Sequence, residues 1–217
     1  MIKAVLFDCD GLMFNTEAYA HGIWTRIASE HGVKLPEDFF MIITGAGRST
    51  SDAFIHSIPG MDEILPEIRR QRFSDEVFQA MEKDSLTKPG LEELCAWLKE
   101  KGTRTAVCSS SGTHYVHTLL STMTNPPSFD AVAGGDLVKK AKPDPEIFLL
   151  GASLLNTDPS ECMVLEDSKQ GIIAASRAGM RSCFIPDTIE PDDQMKELID
   201  LQCESLHDVI GILEEMI

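Results

Sequence analysis

Carboxylate and hydroxyl side chains follow three short apolar segments of the chain. The carboxyl ends of parallel strands meet at one edge of a sheet, so we expect these side chains to share one crevice. In chain order they are Asp8 and Asp10 after residues 4–7, Ser109, Ser110 and Ser111 after residues 105–108, and Glu166 and Asp167 after residues 163–165. Crowded carboxylates repel one another unless a cation neutralises them, and oxygen ligands of this kind favour Mg²⁺. The sequence therefore predicts a magnesium site.

The first acidic pair suggests a division of chemical roles. Asp8 and Asp10 are two residues apart, so both would face one side of a regular strand, and a turn at Gly11 would let side-chain and backbone oxygens converge. Asp167 would complete the metal site, with Glu166 acting through water. An ionised aspartate beside a cation and a clamped phosphate is a natural nucleophile, which is the role predicted for Asp8. Asp10 is the predicted general acid and base.

A phosphate-binding cradle is predicted beside these carboxylates. The hydroxyls and backbone N–H groups of Ser109 and Ser110 lie next to a helix that should begin near Gly112, where anions bind well. Lys142 precedes another predicted helix and supplies a positive charge. Ser111 is predicted to contact the rest of the substrate.

Each of these motifs alone has an ordinary structural explanation. Asp8 and Asp10 could cap a turn, and Ser110 and Ser111 could simply form one. The conjunction is harder to explain in this way, because acidic ends of two strands, a serine-rich end of a third and a lysine before a helix all suit one phosphate site.

The remaining pattern predicts an α/β fold. Short apolar runs without alternation are typical of strands buried on both faces, and the segments between them have helical spacing. The predicted strands are residues 4–7, 105–108, 129–133, 163–165 and 182–185, and the helices between them cover residues 91–101, the segment from Asp144 onward, and 168–179.

Residues 15–85 interrupt this alternation with helix after helix, predicted at residues 16–31, 36–43, 48–57 and 62–83. We therefore predict a Rossmann-like parallel sheet core of residues 1–14 and 86–217, with a small α-helical cap domain, residues 15–85, inserted after the first strand. The glycine-flanked loop of Gly45, Ala46, Gly47 and Arg48 is a predicted substrate contact, although Arg48 could instead cap a helix.

Composition and charge narrow the possible partners. The 217 residues carry 19 basic and 35 acidic side chains, and the formal charge of −16 disfavours nucleic acid and anionic membranes. Six cysteines without a C-x-x-C pair indicate buried free thiols in a reducing cytosol. No apolar run is long enough to span a bilayer. We expect a soluble, cytoplasmic, monomeric protein, with acidic residues beyond Arg181, including Asp187, on a solvated surface.

With these motifs in order, the sequence resembles the haloacid dehalogenase superfamily of aspartyl-phosphate phosphotransferases. The similar branch has a small helical cap after the first strand and includes β-phosphoglucomutase and many sugar-phosphate phosphatases. The resemblance covers essentially the whole chain and rests on F-D-C-D-G at residues 7–11, V-C-S at 107–109, Lys142 with Pro143, and L-E-D-S at 165–168.

The resemblance implies a set of roles that agrees with those above. In the core, it implies Asp8 as nucleophile and metal ligand, Asp10 as acid/base and backbone-carbonyl ligand, and Glu166 and Asp167 on the Mg²⁺ side. It also implies Ser109 and Lys142 as phosphate binders, and Arg48 as a phosphate-gripping residue of the cap loop.

Departures from the mutase pattern favour hydrolysis. Where mutases carry a histidine on the first cap helix, this chain has Ala20, and His21 lies about 100° further around the helix. Asn15 also stands where an aspartate is usual. We predict a Mg²⁺-dependent phosphatase of a small sugar or polyol phosphate. The alternatives are a phosphosugar mutase, a phosphorylatable signalling receiver, whose domain would lack the helical insert, and a non-catalytic binding protein.

Overall fold

The computed structural model describes residues 1–46, 48–72, 74, 79 and 86–217. Within them the chain forms a six-stranded parallel sheet with strand order β3-β2-β1-β4-β5-β6. The strands are β1 (Ala4–Phe7), β2 (Arg104–Cys108), β3 (Ala131–Ala133), β4 (Cys162–Glu166), β5 (Arg181–Phe184) and β6 (Leu201–Gln202). The predicted parallel α/β fold is confirmed. The strand order reverses between β1 and β4, where ligands bind in open sheets.

Burial of both sheet faces explains the continuous apolar runs. Val5 and Phe7 pack into one core on one face of the sheet, while Ala4 and Leu6 pack into a second core on the other face. All four are fully buried. A strand covered on both sides has no solvated positions, so its sequence shows no alternation.

The segment that follows β1 is helical, as predicted. Trp24, Phe39 and Ile68 belong to an apolar core that these helices share among themselves. The helices are α1 (Thr16–Glu30), α2 (Phe39–Ile43), α3 (Arg48–His56) and α4 (Met61–Arg72). The predicted helix over residues 62–83 runs partly outside the described residues, and the division into a core and a cap domain stays a prediction.

The helices of the sheet region cover its two faces. They are α5 (Leu91–Lys101), α6 (Thr113–Ser121), α7 (Glu146–Leu154), α8 (Lys169–Arg177), α9 (Asp193–Leu198) and α10 (Val209–Leu213), with single 3₁₀ turns at Gly135–Leu137 and Pro159–Glu161. Helix α5 ends as predicted at Gly102, which adopts the left-handed conformation with φ +70°. Helix α7 begins at Glu146, slightly later than predicted, and the Asp144 Oδ1 accepts the Glu146 N–H at 3.1 Å.

Two features near the carboxyl end differ from the sequence-based expectations. Strand β6 was not predicted, because it has only two residues and is defined by pairing of Leu201 with Cys183. Asp187 is not solvated. Its side chain is 7% exposed and pairs with Lys88.

The chain passes between the sheet and the helical segment twice, and the two passages are paired. Phe14 and Thr87 form an isolated antiparallel bridge. On either side of it the Asn15 N–H donates to the Leu86 carbonyl, and the Lys88 N–H donates to the Met13 carbonyl, both at 2.9 Å. The outgoing and returning chains therefore run side by side as one two-stranded connection.

The prediction of buried free thiols is confirmed for all six cysteines. Of the helices described, none has the length and apolar character needed to cross a membrane.

Candidate active site

Asp8, Lys142 and Glu166 form a buried ionic group at the carboxyl edge of the sheet. The Lys142 Nζ donates to the Asp8 Oδ1 at 2.5 Å and to the Glu166 Oε1 at 2.6 Å. The Lys142 and Glu166 side chains are wholly buried, and the Asp8 side chain is 4% exposed. Lys142 also lies over the Phe148 ring, with its Nζ 4.7 Å from the ring centroid. The structure thus brings together three residues that lie far apart in the sequence.

Glu166 is held by the turn between β4 and α8. Its Oε2 accepts the backbone N–H groups of Asp167 and Ser168 at 3.0 and 2.9 Å and the Ser168 hydroxyl at 2.8 Å. Ser168 caps α8 by accepting the Gly171 N–H at 3.0 Å. With Lys142 on Oε1, Glu166 has little acceptor capacity left for an ion. Its contacts position Lys142 and the β4–α8 turn, which suits a part in metal binding through water.

Asp167 has the opposite character, because both of its carboxylate oxygens are buried and accept no hydrogen bond from the described part of the chain. A carboxylate buried in this way is costly unless a cation compensates it. Oxygens of Asp8, Glu166 and Asp167 lie within 4.8 Å of one another. A hard divalent cation such as Mg²⁺ would fit this set of donors and satisfy the Asp167 oxygens.

The pKa values reflect this crowding. Burial raises the pKa of Asp8 well above its usual range, and Lys142 opposes that effect only in part. Burial also raises the pKa of Asp167, and the neighbouring charges of Glu166 and Asp8 raise it further. Burial lowers the pKa of Lys142, but Asp8 and Glu166 outweigh it and keep the ammonium charged.

Asp10 is held by three hydroxyl donors. The Thr16 Oγ1 and the Tyr115 hydroxyl donate to its Oδ1 at 2.8 and 3.1 Å, and the Ser111 Oγ donates to its Oδ2 at 2.8 Å. Ser111, predicted as a substrate contact, therefore touches Asp10 directly. Thr16 and Tyr115 were missed, because threonine and tyrosine inside helical patterns carry no local sign of such a role.

The predicted phosphate-binding serines make different contacts. Ser109 is buried, and its Oγ accepts the Ser111 N–H at 3.0 Å, which leaves the hydroxyl hydrogen able to donate to a ligand. The Ser110 Oγ donates to the Gly45 carbonyl at 2.9 Å. Gly45 adopts φ +67°, and a Cβ at this position would overlap the Ser168 hydroxyl. The predicted cap loop is therefore docked on the strand ends in this structure.

We expect Gly45→Ala to reduce kcat/KM by about 100-fold, because the added methyl group would displace the loop by roughly 1 Å from the strand ends. Steady-state phosphate release, the reaction predicted from the sequence, measures the effect. Gly32→Ala is the matched control, since Gly32 has φ +68° and nothing within 4 Å of an added Cβ. Equal loss in the two variants would show that backbone strain, and not loop docking, is responsible.

A cavity of about 390 Å³ lies between the strand ends and the helical segment. Its lining includes Asp8, Asp10, Ser110 and Ser111 from the strand ends and Gly45 and Ala46 from the predicted cap loop. The rest of the wall contains both apolar and charged or polar side chains. They include Glu17, Ala20, His21, Trp24, Asp52, Leu65, Arg69 and Arg72. The size suits a small metabolite. Gly47 and the side chain of Arg48 lie outside the described residues, so their predicted contacts remain predictions.

A family model of haloacid dehalogenase-like hydrolases matches residues 2–179, most of the chain. The chain belongs to this family. The resemblance inferred from the motifs is confirmed, and the protein is an enzyme of the hydrolase class.

Relatives of this hydrolase include named phosphatases and a mutase. It is 27% identical over 221 residues to a phosphorylated carbohydrates phosphatase of Thermotoga maritima, covering the whole of both chains. It is 27% identical over 218 residues to the β-phosphoglucomutase of Bacillus subtilis, covering 95% of each chain. The crystal structure of CbbY from Rhodobacter sphaeroides in complex with phosphate matches with a TM-score of 0.71 and 27% identity, covering 96% of each chain.

Glu17 and His21 of the hydrolase lie one helical turn apart on α1 and line the cavity. The His21 Nε2 lies 3.2 Å from the Thr44 Oγ1 and 3.7 Å from the Glu17 Oε2, and its ring stacks on Phe40. Burial raises the pKa of Glu17 to about 7, with Arg72 opposing the shift. Sequence patterns alone did not single out Glu17, because its burial depends on the cavity wall.

Glu17→Gln should stabilise the metal-free hydrolase at pH 8 by up to about 3 kcal/mol and leave stability at pH 4 unchanged. The usual pKa of 4.5 applies in the unfolded chain, so the neutral form favours folding. That contribution is complete below pH 4.5 and is lost as pH rises through 7. Urea unfolding in EDTA across this range measures the effect. Glu30→Gln, on the exposed part of the same helix, is the control, and equal pH profiles for both variants would contradict the assignment.

Proposed function

We propose that this hydrolase is a Mg²⁺-dependent phosphatase of a small phosphorylated metabolite, a sugar or polyol phosphate, and that it acts through an aspartyl-phosphate on Asp8. The observation that carries the proposal is the position of Asp8. Its carboxylate is bonded to Lys142, lies within 4.8 Å of acidic oxygens of Asp167, and lines a cavity large enough for such a metabolite.

The residues that would hold the ion are Asp8, Asp167 and the backbone carbonyl of Asp10, with Glu166 acting through water. The partnerless oxygens of Asp167 support this assignment. Bound there, Mg²⁺ would offset the repulsion between the carboxylate and the phosphate.

The proposed reaction has two steps. The Asp8 carboxylate attacks phosphorus while Asp10 donates a proton to the leaving alkoxide, which releases the alcohol. Asp10 then accepts a proton from the water that attacks the aspartyl-phosphate, and inorganic phosphate leaves with Asp8 restored. Lys142 and Ser109 would hold the phosphate oxygens, and the hydroxyls of Ser111, Thr16 and Tyr115 would orient Asp10 for both proton transfers.

The cavity and the relatives support a sugar-like substrate. Trp24, Leu65 and other apolar groups alternate in the wall with polar groups such as Asp52 and Arg69, which are joined by a 2.6 Å ion pair. The buried Trp24 Nε1 donates no hydrogen bond to the described residues, so it is available to a substrate hydroxyl. A polyhydroxylated chain has both the polar edges and the apolar faces that this wall accommodates.

The first cap helix favours hydrolysis over the mutase reaction, which moves the phosphate to another position of the sugar. Ala20, where the mutase pattern has histidine, lines the cavity without a titratable group. The contacts of His21 are to Thr44, Phe40 and Glu17, so its imidazole is engaged away from Asp10.

Phosphate release from a panel of sugar and polyol phosphates, with Mg²⁺ and with EDTA, tests this proposal. We expect steady turnover of several compounds with Mg²⁺ and loss of at least about 100-fold in EDTA. A second assay supplies β-glucose 1-phosphate with a bisphosphate primer. Accumulation of glucose 6-phosphate instead of free phosphate would establish the mutase reaction and overturn the phosphatase proposal.

The cellular setting belongs to the proposal as well. We place the enzyme in the cytoplasm, which the six buried free thiols support. The monomeric state remains a prediction that light scattering during gel filtration can test.

A further inference from the structure

Asp187 is a buried carboxylate with one unused oxygen. It lies just beyond β5, and its side chain is 7% exposed. The Oδ1 accepts from the Lys88 ammonium group, whereas the Oδ2 is buried and has no hydrogen-bond donor among the described residues. A half-satisfied buried carboxylate is unfavourable unless another positive group reaches it.

The unused oxygen points toward the candidate cation site. A Cβ built on Gly11 would lie 3.3 Å from the Asp187 Oδ2 and would overlap the Asp167 Oδ2. The two carboxylates therefore approach the same turn, the one that follows Asp10, from β4 and from β5. Only a residue without a side chain at position 11 allows both of them to come this close.

The distances separate Asp187 from the inner ligands. Oxygens of Asp8, Glu166 and Asp167 lie within 4.8 Å of one another, and Asp187 is outside that group. Mg²⁺ usually keeps several of its waters when it binds to proteins. A carboxylate just beyond the inner ligands, with a free oxygen turned toward them, is well placed to accept a hydrogen bond from such a water.

We propose that Asp187 is an outer ligand of the cation site, holding an ion-bound water through its Oδ2 while its Oδ1 accepts from Lys88. The inference rests on the metal site of the proposed function. It also connects that site to the cap, because Lys88 belongs to the two-stranded connection through its N–H bond to Met13. Asp187 is a positioning residue and touches neither the substrate nor the reacting atoms.

The competing explanation is that Asp187 serves only as the ion-pair partner of Lys88. The two explanations differ for single substitutions. If Asp187 acts on the ion, Asp187→Asn should weaken Mg²⁺ binding by about 10- to 100-fold, whereas Lys88→Met, which keeps the carboxylate, should not weaken it. If the pair is only structural, both substitutions should affect stability similarly and leave Mg²⁺ binding unchanged.

Calorimetric titration of Mg²⁺ into the EDTA-treated, dialysed full chain makes this comparison without measuring turnover. Asp193→Asn is the matched control, because it removes the same charge from a fully exposed position in the same acidic segment. The double variant with Lys88→Met and Asp187→Asn leaves no unpaired charge, and we expect it to bind Mg²⁺ as weakly as Asp187→Asn. This variant provides the measurement if the single one does not fold.

The outcomes separate this inference from the proposed function. If the unmodified chain binds Mg²⁺, Asp167→Asn does not, and Asp187→Asn binds as tightly as Asp193→Asn, the outer-ligand role is overturned and the phosphatase proposal stands. If the unmodified chain binds no Mg²⁺, both are overturned. Weaker Mg²⁺ binding by Asp187→Asn and by the double variant, with normal Mg²⁺ binding by Lys88→Met, would establish Asp187 as an outer ligand.

Discussion

Asp8→Asn should lower phosphate release by at least about 10⁴-fold, because removal of a nucleophile eliminates the covalent route. Asparagine has nearly the same shape, and Lys142 keeps its 2.6 Å bond to Glu166, so the fold should be retained. Phosphate release under saturating substrate measures the loss, and thermal unfolding checks the fold. Hydrolysis within tenfold of the unmodified enzyme would refute the nucleophile assignment.

The matched variant Asp10→Asn distinguishes the proposed role of Asp10 from that of Asp8. Asp10 is held by hydroxyl groups of Thr16, Ser111 and Tyr115, whereas Lys142 donates to Asp8 and Glu166, so Asp10→Asn should leave the buried ionic group intact. With a substrate whose leaving group needs no proton, such as an aryl phosphate, Asp10→Asn should still transfer phosphate to Asp8 and should then accumulate the acyl-phosphate. Asp8→Asn should form none.

Lys142→Met should lower the unfolding free energy by about 3–5 kcal/mol at pH 7.5 in EDTA, because it leaves buried carboxylates without their cation. Methionine fills the space beside Phe148, so the loss reports charge more than packing. Burial raises the pKa of Asp8, so this carboxylate can escape the penalty by taking up a proton, and the loss should shrink as pH falls. Urea unfolding at several pH values measures it.

Two controls make the result specific to the ionic group. Lys140→Met removes a lysine two residues away whose side chain is 73% exposed, and it should cost no more than about 0.5 kcal/mol. Combining Lys142→Met with Glu166→Gln removes one of the stranded charges and should recover part of the loss. If Lys142→Met and Lys140→Met proved equally stable, the buried group would contribute nothing to folding.

Strand positions and strand ends were predictable from the sequence because both depend on local patterns. A strand covered on both faces must be apolar throughout, and the first polar residue after it must lie at the edge of the sheet. Asp8, Ser109 and Glu166 were located in this way. The pattern also placed the helical segment after β1, since its spacing changes there from short apolar runs to helical periods.

The residues that were missed owe their positions to contacts between distant segments. Asp187 lies in an acidic stretch whose sequence looks like a solvated surface, and its carboxylate pairs with Lys88, 99 residues away in the chain. Tyr115 reaches Asp10 across a separation of 105 residues. Burial in the cavity wall raises the pKa of Glu17. Such neighbours become visible only when the chain is folded, which is why spacing alone did not reveal them.

The pairing of the two chain passages at Phe14 and Thr87 has a mechanical consequence. Two separate linkers would allow the helices to move in any direction relative to the sheet. Here the two passages are hydrogen-bonded to each other through the N–H groups of Asn15 and Lys88, so they form a single connection. We therefore expect the helical segment to rotate about this single connection. Such a rotation would break the 2.9 Å hydrogen bond from the Ser110 Oγ to the Gly45 carbonyl, so we expect substrate to enter and phosphate to leave between these two residues.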